Sequence, residues 1–156
     1  MEDERIRAFW QAYIDSLAPG TDRVPALPEA WAFGDGQAMA DELGKLVHHG
    51  IKTATCSLLW EYEADDEPLP RVGELSIVTD GEGNPLCVLE TTGVEIKPFD
   101  QVDAQFAYDE GEGDRSLATW HDAHWQFFAR LCETLGREPS ATMPLVCERF
   151  CVLFKA

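Results

Sequence analysis

The chain has 156 residues, 45% hydrophobic and 26% charged, which is the size and composition of one ordinary domain with a hydrophobic core. The net charge of -17 opposes binding to long duplex DNA, and no apolar run is long enough to span a bilayer. The amino terminus lacks the apolar stretch of a secretory signal, so we expect a cytoplasmic protein that is not bound to a membrane.

The first third of the chain predicts two helices. Apolar residues recur at helical spacing over residues 3–17, and a Pro-Gly pair follows them. We expect an extended connection over 21–34. A second helix then begins at Asp35 or Gly36 and ends at Gly50.

The middle of the chain predicts a β-hairpin. Residues 74–80 and 85–96 have the composition of strands, and the Gly-rich segment 81–84 joins them. The segment before this hairpin, 58–63, is compatible with a helical turn or a strand. A short helix is expected after Pro98.

The last third predicts an acidic glycine loop over 109–114, a long helix and a strand. Ser116 can cap that helix and Gly136 can end it. The final segment, 144–155, is apolar on both faces and suits an interior strand. The residues expected to face inward from the long helix are Leu117, Trp120, His124, Phe127, Phe128, Leu131 and Leu135.

Strands and helices of unequal length therefore alternate without a regular βαβ repeat. This order predicts the α+β class, with a small, mostly antiparallel sheet or barrel flanked by helices.

Lys52 is the first candidate for chemistry, because it follows a helix exit and precedes Thr53 and Thr55. Burial would lower the pKa of this lysine, which could then accept a proton from Thr55 and make the hydroxyl a nucleophile. The alternative is a solvated lysine beside threonines that favour a strand. Lys52 and Thr55 share a face in a turn or helix, but not in a regular strand.

The segment 110–116 is the second candidate. Glycines around Glu112 allow the backbone to approach a ligand closely, while Arg115 and Ser116 add a positive charge and a helix N-terminus. The alternative is an acidic surface loop that leads into a capped helix.

The sequence gives little indication of a metal site or of disulfide bonds. His121 and His124 lie three residues apart on the long helix, but no third ligand is evident in the sequence, and His124 falls on the apolar face. The five cysteines form no CxxC pair, so we expect neither a zinc ribbon nor a disulfide framework.

Five segments together resemble the ASCH domain family, in its longer bacterial subgroup. The most specific elements are G-x-K-x-x-T and EGEGDxSL. The segments, in chain order, are WAFGDG at 31–36, GIKTATCS at 50–57, VGELSIVTDGEGNPLCVLETT at 72–92, FAYDEGEGDRSLATW at 106–120 and ERF at 148–150. The resemblance implies a single domain over 1–156, with 1–20 as an N-terminal helical extension.

The family resemblance also implies a PUA-like small β-barrel and a cleft that could accept RNA or a nucleobase. Family members include an amidohydrolase of N4-acylated cytidines, which uses a threonine, a lysine and a glutamate, and metal-dependent ribonucleases. By motif, the lysine falls on Lys52, the threonine on Thr55 and the glutamate on Glu112, with Glu110 as the alternative.

Four further residues complete the candidate site. Thr53, Glu110, Arg115 and Ser116 are expected to bind substrate. His121 occupies the position where relatives usually carry the arginine of a W-R-x-x-H pattern, which weakens any positive cleft.

Three functions remain open from the sequence. The leading hypothesis is cofactor-free amide hydrolysis of an N4-acylated cytidine, because a neutral nucleoside meets no phosphate repulsion. The second is a ribonuclease that cuts short single-stranded RNA with Mn²⁺ or Mg²⁺ and holds phosphate with Lys52, Arg115 and Lys45. The third is a non-catalytic module that binds RNA or a modified base.

The protonation state of Lys52 separates two mechanisms. A nearby glutamate would raise the pKa of Lys52, whereas burial would lower it. If burial dominates, Lys52 can act as a base. If the ion pair persists, Lys52 instead stabilises an oxyanion or binds phosphate.

Overall fold

The computed structural model describes residues 3–20, 25–34 and 36–156. Within these ranges the chain forms five α-helices, five strands and one 3₁₀ turn. The long helices, the hairpin and the final strand follow the predicted order, whereas the short strands Ala30–Ala32 and Ala54–Leu58 were not predicted as separate elements. The elements are α1 (Glu4–Ser16), β1 (Ala30–Ala32), α2 (Gln37–His48), β2 (Ala54–Leu58), α3 (Leu59–Asp65), β3 (Leu75–Thr79), β4 (Pro85–Pro98), the 3₁₀ turn Phe99–Gln101, α4 (Ala104–Glu110), α5 (Leu117–Leu135) and β5 (Pro144–Lys155).

The strands form a mostly antiparallel sheet with the order β1-β3-β4-β5-β2. β3 pairs with β4, and β2 with β5, in antiparallel fashion, whereas the short β1 runs parallel to β3. The hairpin and the interior position of β5 confirm the sequence prediction. With its flanking helices, this is the predicted α+β, PUA-like fold.

The helix ends lie where the capping residues predicted them. Ser116 Oγ accepts a hydrogen bond from the Thr119 amide at 3.2 Å, and Gly136 ends α5 in the left-handed conformation. Gly50 follows the cap of α2 with φ of +76° and donates to the Val47 carbonyl oxygen. Lys52 therefore lies just beyond a helix exit, as predicted.

Two local predictions need correction, and two others fall outside the described ranges. Leu117 is 36% exposed rather than inward-facing, because it opens the first turn of α5. Glu110 is the last residue of α4 rather than part of a loop, since the helix continues until Gly111 caps it. The segment 58–63 ends β2 and begins α3. The predicted helix start at Asp35, and residues 21–24 of the extended connection, lie outside the described residues.

Contacts along the chain define two compact units, each made of non-contiguous segments. The first comprises Met1–Gly50, Gly73–Glu90 and Cys151–Ala156, and its described core joins α1 to the hairpin through Phe9, Trp10, Tyr13, Ile77 and Val88. The second comprises Ile51–Val72 and Thr91–Phe150. The single domain over 1–156 stays a prediction.

The second unit packs α4 and α5 against β2 and β5. Its core is rich in aromatic side chains, which bury large apolar areas. The fully or nearly buried members include Leu58, Phe99, Phe106, Trp120, Phe128, Met143 and Leu145. Among the described helices, none combines the length and the apolar character that a membrane crossing requires.

Candidate functional site

Lys52 lies in the second unit, and its side chain is 1% exposed. Its Nζ donates hydrogen bonds to the Ala54 carbonyl oxygen at 3.0 Å, to Glu110 Oε1 at 3.1 Å and to Glu112 Oε2 at 2.9 Å. A buried ammonium is tolerated when it is paired and hydrogen-bonded, and here two carboxylates meet that requirement.

The ammonium of Lys52 lies beside the outer edge of β2. The Thr53 carbonyl oxygen accepts a hydrogen bond from the Phe150 amide of β5 at 3.2 Å. Successive carbonyl groups of a strand point to opposite sides, so the Ala54 carbonyl points away from β5. Because β2 is the last strand in the sheet order, Lys52 satisfies a backbone acceptor at that edge.

Glu110 is held at the C-terminal end of α4 by four side chains. Besides Lys52, its carboxylate accepts hydrogen bonds from Trp120 Nε1 at 2.5 Å and Cys56 Sγ at 3.4 Å, and it lies 3.4 Å from His124 Nε2. Its side chain is 1% exposed. Burial raises the pKa of Glu110, but Lys52, His124 and Trp120 outweigh it and lower the pKa from 4.5 to about 2.

The same balance keeps Lys52 protonated. Burial is the largest single effect and lowers the pKa of Lys52, but the charges and hydrogen bonds of Glu110 and Glu112 together raise it above its ordinary value. Of the two mechanisms left open by the sequence, the geometry therefore favours Lys52 as a cation rather than as a base.

Glu112 is the partner of Lys52 that reaches solvent, since 32% of its side chain is exposed. Gly111 brings it into place: its φ is +74°, and a Cβ there would lie 2.7 Å from the Ile51 carbonyl oxygen. Only glycine fits this close approach without strain. The glycine loop thus folds onto the segment that carries Lys52, and both predicted glutamates contact the same ammonium.

The predicted threonines do not share one location. Thr53 Oγ1 donates to the Asp109 carbonyl oxygen at 3.3 Å. Thr55 lies within β2, where the side chains of Ala54 and Cys56 face the core of the second unit. Because side chains alternate along a strand, Thr55 faces the other side. The site roles of both threonines stay predictions.

Arg115 and Ser116 build the loop that carries Glu112. Arg115 has a φ of +65°, uncommon for a residue with a side chain, and its guanidinium stacks 3.6 Å from the centre of the Tyr108 ring. It also donates to the Tyr108 carbonyl at 2.9 Å, while Ser116 Oγ donates to Asp114 Oδ1 at 2.7 Å. Their expected contacts with substrate stay predictions.

Cys56 and Trp120 were not predicted to lie in the site, and His124 was predicted to be a core residue. The His124 ring stacks on Trp120 with centres 4.2 Å apart, and its Nδ1 lies 2.9 Å from the Trp120 carbonyl oxygen. The spacing of four residues in α5 was the available signal for this pair. Cys56 gave no such signal, because its contact with Glu110 depends on the tertiary fold.

Cys56, Glu110 and His124 offer ligand atoms that lie within 4.8 Å of one another. A divalent cation does not fit this cluster, because the ammonium of Lys52 already lies 3.1 Å from Glu110. Burial also raises the pKa of Cys56 well above its ordinary value, which opposes the thiolate that a metal needs. No chemical step is therefore assigned to a metal here.

His121, at the position of the expected arginine, is exposed on α5 and packs its ring 4.7 Å from the ring centre of Phe99.

Solved structures of related proteins share this architecture. An ASCH domain from Lactobacillus crispatus JV V101 is 37% identical, with a TM-score of 0.90 over 97% of this chain and 96% of that chain. A protein of Enterococcus faecalis V583 is 35% identical, with a TM-score of 0.86 over 97% of this chain and 90% of that chain. A hypothetical protein at 12% identity and a TM-score of 0.53 shares the fold alone.

No curated protein matches the chain. The ASCH domain family model matches residues 29–153, which include the whole cluster around Lys52. The chain belongs to the ASCH domain family.

Proposed function

We propose that this protein is a hydrolase that cleaves the amide bond of an N4-acylated cytidine, within the RNA-related chemistry of the ASCH family. The observation that carries the proposal is the pairing of a buried ammonium, Lys52, with a carboxylate, Glu112, that is one-third exposed. A cation and a carboxylate that meet at the boundary with solvent can act together on a polar bond.

Glu112 is the partner that a ligand can replace. An ammonium has three N–H donors, and those of Lys52 face the Ala54 carbonyl, Glu110 and Glu112. The first two acceptors are buried, so an incoming carbonyl oxygen would take the place of Glu112. The displaced carboxylate is then available as a proton acceptor.

In the proposed reaction, the Thr55 hydroxyl oxygen attacks the acyl carbon and Glu112 takes its proton. Lys52 stabilises the negative charge that develops on the acyl oxygen. The bond between the acyl carbon and N4 breaks as Glu112 returns the proton to N4, which releases cytidine. Water then hydrolyses the acyl ester, which yields the free acid and regenerates Thr55. Because Thr55 faces the side of β2 opposite to Cys56, this role requires a local movement of the edge strand that brings the Thr55 hydroxyl to Lys52.

Charge favours a nucleoside over a phosphorylated substrate. The chain carries a net charge of -17, and the Glu112 carboxylate faces the solvent side of Lys52. A phosphate would be repelled by both, whereas an uncharged nucleoside would not.

The test is incubation of the purified protein with N4-acetylcytidine, with chromatography to quantify cytidine and acetate. We expect turnover by the wild type and a loss of about 100-fold or more in kcat for Glu112→Gln, the range typical of a lost acid–base group. Lys155→Gln, which removes an exposed lysine outside the site, is the matched control and should keep full turnover. Thr55→Val tests the nucleophile directly.

Absence of turnover by the wild type, with cleavage of single-stranded RNA instead, would contradict the proposal. Equal turnover by the wild type and Glu112→Gln would remove the assigned mechanism.

A further inference from the structure

We propose that a cavity between β4, β5 and α4 binds one unpaired nucleobase. Arg149, Lys97 and Glu95 supply charged side chains to its lining, and Gly93 adds no side chain. The inference rests on the proposed function in one respect, namely that the ligands of this protein carry a nucleobase. No step of the proposed reaction uses this cavity.

The cavity lies within the second unit and has a volume of about 200 Å³. Alternate residues of β4 supply Gly93, Glu95 and Lys97, and β5 supplies Cys147 and Arg149, so the cavity lies on one face of the sheet. This volume is below the usual range of about 300–1,000 Å³ for pockets that take drug-sized ligands, so a fragment the size of a base fits better than a whole nucleotide.

Gly93 is the clearest sign that the space serves a ligand. The φ of Gly93 lies outside the left-handed region that favours glycine. A Cβ added to Gly93 would contact only the Arg149 Cβ, at an ordinary distance of 3.7 Å. Neither backbone conformation nor packing therefore requires glycine at this position. Glycine in a strand interior weakens the strand and often marks a close approach by a ligand. Here it keeps a strand surface free of side chain beside a cavity.

The charges around the cavity suit a neutral polar ligand rather than an anion. Lys97 lies 3.6 Å from Glu95, and Arg149 lies 2.6 Å from Asp109, so each cation has an acidic neighbour. Asp103 adds a further carboxylate to the lining. An anion would meet at least as many negative as positive groups. A base has hydrogen-bond donors and acceptors on its edge and no net charge, so it can bind to both the positive and the negative groups.

A guanidinium and apolar side chains provide surfaces for a planar ring. The Arg149 guanidinium lies over the Phe106 ring, 5.4 Å from its centre, and 46% of the Arg149 side chain is exposed. Val102 contributes apolar surface. Stacking on arginine and apolar surfaces tolerates any base, which is the usual mode for single strands.

The cavity is connected to the Lys52 cluster through α4. Asp109 pairs with Arg149, and its carbonyl oxygen accepts the Thr53 amide at 2.8 Å, while the next residue, Glu110, holds Lys52. In the sheet, Arg149 is the register partner of Ala54, whose carbonyl accepts the Lys52 ammonium. The helix α4 therefore contributes residues both to the Lys52 cluster and to the surroundings of the cavity.

The experiment is a titration of ¹⁵N-labelled full-length protein, followed by amide chemical shifts. The probes are uridine, the dinucleotide CpU, ribose 5-phosphate and inorganic phosphate. We expect uridine and CpU to shift the amides of 93–97 and 147–149, and the two base-free probes to leave them unchanged. Stronger binding of CpU than of uridine would identify a single strand as the source of the base, and equal binding would identify the free nucleoside.

Gly93→Val fills the cavity and should weaken uridine binding by about tenfold or more, the range of a lost stacking contact. Valine favours strands, so the variant should be at least as resistant to urea as the wild type. Thr92→Val, on the opposite face of β4, is the matched control and should bind normally. Lys97→Met is the second variant should Gly93→Val fail to fold, and it should also weaken binding.

Shifts confined to residues near Lys52, or binding that Gly93→Val and Lys97→Met leave unchanged, would overturn the proposal. Equal binding of inorganic phosphate would also overturn it, since the site would then be an anion site. Loss of N4-acetylcytidine hydrolysis together with intact uridine binding at the cavity would reject the proposed function and leave the cavity as a base-binding site. Hydrolysis of N4-acetylcytidine without uridine binding at the cavity would support the proposed function and reject the cavity as a base-binding site.

Discussion

The Lys52 cluster and the cavity at Gly93 lie in the same compact unit but differ in how far their charged side chains are buried and paired. In the cluster, Lys52 and Glu110 are both 1% exposed and contact each other. At the cavity, Lys97 and Arg149 are 31% and 46% exposed and border empty space. Charges that are fully paired and buried hold the fold, whereas charges that are partly paired beside a void remain available to a ligand. Glu112 combines features of both regions, because it pairs with the buried Lys52 while 32% of its own side chain is exposed.

Removal of one charge should distinguish the two regions most strongly. Lys52→Met leaves Glu110 buried without its main counter-charge, and breaking a buried ion pair costs about 3–5 kcal/mol. Lys97→Met removes an equal charge from the rim of the cavity and should change the free energy of unfolding by about 0.5 kcal/mol or less. Urea unfolding at pH 7 measures both values. Similar losses of unfolding free energy in the two variants would show that the two regions do not differ in their contribution to stability.

Acid should remove the contribution of Glu110 in a defined pH range. Because the pKa of Glu110 is lowered from 4.5 to about 2, its stabilising effect is complete above pH 4.5 and is lost as the pH falls toward 2. Glu110→Gln cannot titrate. The difference in unfolding free energy between the wild type and Glu110→Gln should therefore shrink as the pH falls below 4.5. A separate change is expected near neutrality, because Glu110 also raises the pKa of His124. A difference that stays constant down to pH 2 would contradict the shift.

The smallest stability effect is expected at Glu112. Its pair with Lys52 is partly open to solvent, so Glu112→Gln should cost about 1 kcal/mol or less while it abolishes most of the proposed turnover. Parallel measurement of the urea midpoint and of N4-acetylcytidine hydrolysis tests this separation. A large loss of stability with normal kinetics would assign Glu112 to the fold rather than to the site.

Local patterns predicted most of the elements, because helical periodicity, the Ser116 cap and the glycine turn are encoded by neighbours in sequence. The meeting of Lys52 with the 110–116 segment came from the family motif, since no spacing rule joins residues 60 positions apart. Glu110 was misplaced in a loop because the sequence does not reveal that α4 continues until Gly111.

Two aspects of the site required three-dimensional information. Whether burial or charge dominates the pKa of Lys52 depends on how many carboxylates approach it. The sequence did not show whether one or both of Glu110 and Glu112 contact the ammonium. Gly93 could not be recognised either, because a glycine in a strand pattern is consistent with a bulge, a bend or a ligand contact. Only the empty space beside it distinguishes these cases.

The central claim is that Lys52 is a buried cation held by two carboxylates, and the side-chain ¹⁵N resonance of Lys52 tests it most directly. A pH titration of selectively labelled protein should show an ammonium nitrogen whose pKa lies above the ordinary 10.5 of lysine. In Glu112→Gln the pKa should fall, because one of the two carboxylates that raise it is gone. A neutral amine at pH 7, or a pKa below 10.5 in the wild type, would contradict the account.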